Sequence, residues 1–257
     1  MRLNLLQKTK TVEPYSQLAY IYDYVMRHVD YKDWAGYLHC LFAKADININ
    51  NVLDISCGTA NLAIELTALG YDVSGIDSSY QMVKVAKKKL AKLNRNILLW
   101  TSSMSEFMVK TQYDAIVCTY DSINYCPNLK SVIKVLTKVE NVLTCGGIFI
   151  FDISTVRNSK RYFQKYYDND GTEEFNYSRQ SYYLIQKRQQ TNEFCITFNA
   201  DKKTCYKEVH QQKIYKIDEL KNVIMSTSLS LTGIYNGFTL QPGTEKSDRV
   251  HFVLTKI

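Results

Sequence analysis

The sequence predicts an α/β fold in which a doubly wound parallel sheet carries helices on both faces. Short apolar runs alternate with amphipathic helical stretches between residues 51 and 153. Each run stops at a glycine turn or a helix-capping residue. Strands this short and apolar, regularly interrupted by helices, belong to parallel sheets buried on both sides.

The elements follow in order. Tyr15, Leu18, Ala19, Tyr22, Val25 and Met26 form a helical stripe, and Tyr31–Ala45 reads as a second helix. Asn51–Ser56 (NVLDIS) is the first strand and runs into Gly58. A helix through Leu62, Ala63, Leu66 and Leu69 is stopped by Gly70. Tyr71–Asp77 is the second strand, with Ser78 and Ser79 placed to cap the next helix. Ile97–Thr101 and Tyr113–Thr119 are the third and fourth strands. Leu129, Val132, Ile133, Leu136, Val139 and Leu143 mark a helix that Cys145-Gly146-Gly147 turns into a fifth strand, Ile148–Ile153. Right-handed crossovers follow from that order.

Residues 172–215 lose helical period. Ser181–Gln186, Glu193–Asn199 and Lys203–Tyr215 read as strands, with a turn at Asn199–Lys202. On the last of them Tyr206, Glu208, His210 and Gln212 share one face. Ile217–Thr227 is helical, and Leu229–Phe238 with Arg249–Lys256 form a closing strand pair. The resulting division is an N-terminal helical lid (1–47), a core (48–154 and 216–257) and an inserted β cap (155–215).

Composition narrows the function classes. With 46% hydrophobic and 22% charged residues the chain is globular rather than disordered. No apolar run is long enough to span a bilayer, and Leu3, Leu5 and Leu6 are cut off by Gln7–Lys10, which speaks against a signal peptide. A cytoplasmic protein without a membrane partner is expected. Seven scattered cysteines with no CxxC pair argue against a disulfide framework and a metal site, and predict reduced thiols. The net charge of +7 is concentrated in residues 155–215, with eleven Lys/Arg against seven Asp/Glu, too mild an excess to imply nucleic acid. Lys87-Lys88-Lys89 reads as a solvated helix face.

Ligands of such sheets sit at the carboxyl ends of the strands. The first loop, Asp54-Ile55-Ser56-Cys57-Gly58-Thr59-Ala60, is not the GxGxxG of a dinucleotide binder. Asp54 would repel a pyrophosphate and suits a ligand carrying a cation. Asp77 ends the second strand about 20 residues after the glycine turn, the distance at which an acid accepts from ribose hydroxyls.

The stretches NVLDISCGTANLAIELTALG and YDVSGIDSSYQMVKVAKK resemble the opening of class I S-adenosylmethionine (SAM)-dependent methyltransferases. YDAIVCTYDSINYC and LTCGGIFIFDIST continue the resemblance, and YSQLAYIYDYVM, YKEVHQQKIYKIDEL and SDRVHFVLTK are similar to the small-molecule branch. The resemblance covers nearly the whole chain. It implies a Rossmann-like seven-stranded sheet whose last strand is antiparallel, and SAM as cofactor. Asp54, Ser56, Cys57 and Gly58 would hold the methionine moiety and Asp77 the ribose. Ser78 and Met82 would lie near the adenosine, Ser103 and Met104 beside the adenine, Thr119 and Tyr120 beside the methionine end, with Tyr22 closing over the cofactor. The chain departs from the family at Ser56 and Ala60, where glycine is usual, and at Ser103, where an aspartate is usual. The start of a helix is expected to tolerate Ala60.

Methyl transfer from a sulfonium asks mainly for alignment and exclusion of water. His210 is the candidate general base. Asp121, Asn124 and Tyr125, in the family's DSxNY pattern, would shape the acceptor site. The cap's positive charge, Arg179 included, fits an anionic small-molecule acceptor and equally a solvated sheet exterior; a monomer or homodimer is expected. Alternatives are a peptide, protein or RNA acceptor, or a binding protein without transfer activity. His28, His39 and His251 receive no role. Of 20 tyrosines, 14 lie in residues 15–37 and 162–215, the two segments expected to enclose the acceptor.

Overall fold

The computed structural model describes residues 8–257, and Leu3, Leu5 and Leu6 lie outside them. The chain runs β1 (Lys8–Thr11), α1 (Tyr22–Val25), α2 (Tyr31–Phe42), β2 (Asn51–Asp54), α3 (Asn61–Ala68), β3 (Asp72–Asp77), α4 (Tyr80–Lys92), β4 (Leu98–Thr101) and β5 (Tyr113–Cys118). It continues through α5 (Leu129–Val142), β6 (Leu143–Ser154), α6 (Val156–Tyr162), β7 (Lys165–Gly171), β8 (Phe175–Leu184), β9 (Gln189–Phe198) and β10 (Thr204–Lys213). It closes with α7 (Ile217–Ile224), β11 (Leu229–Asn236) and β12 (Arg249–Lys256).

The large sheet has the order β11-β12-β6-β5-β2-β3-β4. β2, β3, β4, β5 and β6 pair in parallel, while β12 runs antiparallel to both β6 and β11. The expected seven strands with a reversed last strand are therefore present. Two clusters of buried side chains cover its faces, one built on α5 and α7, the other on α2, α3 and α4. Sequence order reverses direction between β2 and β5, which opens a crevice at their carboxyl ends. Among the described residues, no helix is long and apolar enough to cross a membrane.

A second sheet, β1-β10-β9-β8-β7, stands over that crevice. Two of its strands were not expected. β1 and β7 are its edges and are largely exposed, so neither needs the apolar alternation by which buried strands are read. β1 comes from the segment read as purely helical and pairs in parallel with β10, Lys8 opposite Thr204.

The first helical stripe is also corrected. In place of one helix there is a 3₁₀ turn at Leu18–Tyr20 and a single α turn, α1. Tyr15 has φ 62°, and the amides of Tyr15, Gln17 and Leu18 donate to the Glu208 carboxylate rather than to a preceding helical turn. A buried acceptor on β10 has outbid helix propensity.

The expectation of reduced thiols fails at one pair. Cys195 on β9 and Cys205 on β10 are joined in a disulfide with Cα atoms 5.7 Å apart. Both strands and their turn are legible in the sequence, and antiparallel pairing across that turn brings the two residues to neighbouring diagonal positions.

Candidate functional site

The loop after β2 is folded by its own polar groups. Ser56 N donates to Asp54 Oδ1 at 3.0 Å, Cys57 N to Ile76 O at 2.9 Å, and Gly58 N to Asp77 Oδ2 at 2.9 Å. Gly58 sits at φ 52°, where glycine is unstrained. Gly75 lets the loop lie on β3, since a Cβ there would fall 2.8 Å from Cys57 Cβ. Ala60 is found at φ 67° just before α3, not at an ordinary helix start. The expectation that a helix start tolerates Ala60 is therefore wrong, because the angle costs a residue with a Cβ roughly 1–2 kcal/mol. Its methyl is fully buried in return.

Asp77 takes its second amide from Ser79, at 2.8 Å, so the carboxylate closes two turns at once. Burial pushes both acids up. Asp54 is moved to about 7 by burial, with the amide of Ser56 opposing and the nearby charge of Asp77 adding. Asp77 is raised by burial against the amides of Ser79 and Gly58. Asp23 on α1 clamps this loop from above, accepting from Thr59 Oγ1 at 2.6 Å, Asn61 Nδ2 at 3.0 Å and Lys89 Nζ at 2.7 Å.

Two cavities meet at the crevice. One, of about 570 Å³, is lined by Asp77, Ser78, Met82 and Met104. The other, of about 330 Å³, lies beneath the small sheet and includes Asp54, Cys57, Thr119 and Tyr120. Tyr15, Tyr22, Ser56, Gly58, Ser122 and Tyr125 line both. Of the twelve residues proposed for the cofactor, only Ser103 lines neither; its hydroxyl pairs with Ser105 Oγ at 2.9 Å.

The cavity beneath the small sheet receives Asp121, Tyr125, Arg179 and His210, all named from sequence. Asn124 is not among its lining residues. That amide is fully buried and spent on main chain, donating to Lys213 O at 2.7 Å and accepting from Ser154 N at 3.1 Å. Seven tyrosines line the cavity: 15, 22, 31, 120, 125, 162 and 166.

His210 does not stand free. Its Nε2 is 3.1 Å from Glu208 Oε2 and its Nδ1 is 3.2 Å from the Tyr125 hydroxyl, which is 2.6 Å from that of Tyr15. Burial would raise the Glu208 carboxyl, but His210 and the amides of Leu18 and Gln17 together hold it below the usual range.

Below, Tyr120 and Asp121 occupy successive left-handed conformations after β5 (φ 60° and 51°), a strained pair of the kind found where a site fixes its backbone. Arg249 ties Asp121 (2.8 Å) to Asp152, which accepts the Asp121 amide at 2.8 Å. Burial raises both acids, opposed by Arg249.

Three of the four arginines of residues 155–215 are spent elsewhere. Arg157 and Arg161 pair with Asp248, and Arg188 with Glu219. Arg179 reaches the cavity but lies 3.5 Å from Asp168 and over the rings of Tyr166 and Phe194. Residues not anticipated from sequence include Gln190, Asn192 and Phe194, which line the cavity from one face of β9. The same two-residue alternation that singled out β10 marks them.

Residues 52–147 match a family model described as a methyltransferase domain. Over 245 residues the chain is 26% identical to a putative methyltransferase of Geobacillus sp., covering 94% of this chain and 99% of that one. It is likewise 26% identical over 244 residues to the putative methyltransferase YqeM of Bacillus subtilis, covering 94% and 97%. Among solved structures it is similar to a S-adenosylmethionine-dependent methyltransferase from Clostridium acetobutylicum, with TM-score 0.80 and 22% identity over 94% of this chain and 98% of that one. It is also similar to CalS10, an amino pentose methyltransferase from Micromonospora echinaspora, with TM-score 0.70 and 17% identity over 93% and 96%. At these identities the two structures speak for the fold.

Proposed function

We propose that this chain, a class I SAM-dependent methyltransferase, acts on a small organic molecule held in the cavity beneath the small sheet. The observation that carries this is the shared wall of the two cavities, formed by Tyr15, Tyr22, Ser56, Gly58, Ser122 and Tyr125. A ligand laid along β2 and β3 would present one end to the second cavity. At about 330 Å³ that cavity suits a compact acceptor rather than a polypeptide or an RNA strand.

The residues present fit the cofactor. Asp77 would accept from the ribose hydroxyls, and Ser78, Met82 and Met104, which line its cavity, would lie along the adenosine. The buried Ser56 hydroxyl, which has no protein partner, and Asp54 are left for the charged methionine end. SAM supplies an already activated methyl group, so the chain's own work is to bind, align and exclude water. Asp54, Asp77 and the Ser56 hydroxyl bind; Tyr15, Tyr22 and Tyr125 orient and keep the junction dry. The expectation of an anionic acceptor narrows to Arg179 alone, since the other arginines of that segment that form ion pairs do so with acids outside the cavity lining.

Calorimetric titration with SAM is the direct test, followed by measuring S-adenosylhomocysteine release against a metabolite library. Micromolar binding with turnover of a small molecule supports the proposal. Binding with turnover confined to peptide or RNA substrates overturns the acceptor assignment, and absence of binding overturns the site.

A further inference from the structure

Resting on that reading, we propose that the methyl acceptor is an amine, and that Tyr15, Tyr125, His210 and Glu208 form a one-way path that takes its proton before methyl transfer. The argument begins with Glu208. Its carboxylate is fully buried and faces donors only: the amides of Tyr15, Gln17 and Leu18, the Ser16 hydroxyl and His210 Nε2. An ionised carboxylate can only accept, so His210 carries its hydrogen on Nε2. In the neutral ring, the state that can take up a proton, Nδ1 is then an acceptor, and the Tyr125 hydroxyl donates to it across 3.2 Å. The Tyr125 oxygen in turn accepts from the Tyr15 hydroxyl across 2.6 Å. Every bond in the chain points toward Glu208, and the end left open is a lone pair on the Tyr15 oxygen, in the wall shared by both cavities.

The charge around the cavity selects what would dock there. Arg249 is already matched by Asp121 and Asp152, while Arg179 lies 3.5 Å from Asp168 and keeps a buried Nε without a hydrogen-bond partner. Glu208 is a further carboxylate buried behind that wall with no arginine or lysine partner among the ion pairs of the described residues, Asp54 being left to the charged methionine end. An anionic acceptor would bring no proton to the open lone pair of Tyr15, whereas an ammonium brings one and is drawn toward Asp152 and Glu208, the acids buried behind the wall. Burial raises the Tyr15 phenol, and that of Tyr125 as well, so both pass a proton on rather than hold a charge.

The step balances as follows. The ammonium gives one proton to the Tyr15 oxygen as the Tyr15 hydroxyl hydrogen passes to Tyr125 and that of Tyr125 passes to His210 Nδ1. His210 becomes an imidazolium beside the Glu208 carboxylate, and the amine is neutral with a free lone pair. That pair forms the new N–C bond to the methyl carbon while the C–S bond breaks with its electrons going to sulfur. His210 thus acts through Tyr125 and is a positioning and proton-holding residue rather than one that touches the acceptor.

Two matched trios test the proposal on protein loaded with S-adenosylhomocysteine: benzylamine, benzyl alcohol and benzoate; glucosamine, glucose and glucuronate. The amine is expected to bind at least tenfold tighter than the carboxylate within a trio. Equal or reversed ranking, or no amine bound, overturns it. With SAM, the product is expected to carry its new methyl on nitrogen, and methylation on oxygen overturns it. His210→Asn and Tyr125→Phe should each lower kcat at least tenfold at saturating SAM and flatten the acidic limb of the kcat profile.

The groups facing His210 are Glu208 on its own strand, Tyr125 from the turn after β5, Tyr15 from the N-terminal segment, and Phe194 from β9, which is uncharged. An unchanged limb in both variants overturns the relay. If SAM itself does not bind, the underlying site assignment has failed, which separates the two readings.

Discussion

Gly58 and Asp77 are joined by a 2.9 Å hydrogen bond from the glycine amide to the carboxylate, which links the ends of β2 and β3. One acid therefore shapes the loop and keeps lone pairs free for the ribose that we propose it binds. Asp77→Ala should weaken SAM binding at least about 100-fold, since hydrogen bonds to a charged group are worth roughly 1.5–3 kcal/mol each. Asp77→Asn, which can still accept one amide, should fall between. Calorimetry decides, with circular dichroism as the check on folding; unchanged affinity in Asp77→Ala removes the assignment.

Asp54 gives a pH signature. With burial holding it near 7, the free protein carries it protonated at lower pH, and a cationic ligand favours the carboxylate. SAM affinity should therefore rise with pH through about 7 and level off above it, with protons released on binding at about pH 6 and hardly any at about pH 8.5. Because this folded pKa lies above the unfolded one, the group stabilises the free protein least above about 7. Asp54→Asn should flatten the affinity profile. A flat profile in the unaltered protein would contradict the placement.

Removing Arg249 leaves two buried acids facing each other. Arg249→Met should cost about 3–5 kcal/mol at pH 8, where Asp121 and Asp152 are pressed to ionise. The loss should shrink at pH 5, since both folded pKa values are already raised and protonation relieves the repulsion. Urea denaturation at the two pH values measures it, and an equal loss at both would show that the pair's charge is not the cause.

Glu208 is the anchor of the N-terminal segment. Glu208→Ala should destabilise the protein by about 3–5 kcal/mol, because it leaves three backbone amides and His210 without their acceptor. Hydrogen exchange at residues 15–18 should accelerate far more than in α5. Uniform acceleration would argue against a local anchor.

At Ala60 two effects of similar size oppose. Glycine relieves the left-handed angle by roughly 1 kcal/mol and forfeits a buried methyl worth about 0.8 kcal/mol, so Ala60→Gly should change stability by less than about 0.5 kcal/mol. Ala60→Ile, β-branched in a filled space, should cost at least about 2 kcal/mol. Thermal melting of both separates strain from packing.

The parallel strands and the two acids at their ends were legible because burial writes itself into periodicity and strand ends into spacing. β1 and β7 were not, because an exposed edge strand such as Lys8–Thr11 constrains its side chains little. The broken first helix and the closed faces of His210 were illegible for another reason. Both depend on Glu208, whose partners lie as many as 193 positions away in sequence. A residue's chemistry was readable where its partners were near in sequence, and not where they were brought in by topology.

The pairing of β1 with β10 also sets an order of events. The segment that begins at Lys8 leaves the ribosome early, yet its strand partner at Thr204 and its anchor at Glu208 are made near the end. The wall it forms around the acceptor cavity cannot exist until almost the whole chain has been synthesised, whereas β2, β3 and the loop between them are complete much sooner. Tyr15 and Tyr22 line the cavity along β3 as well, so neither cavity has its full wall until Glu208 has been made.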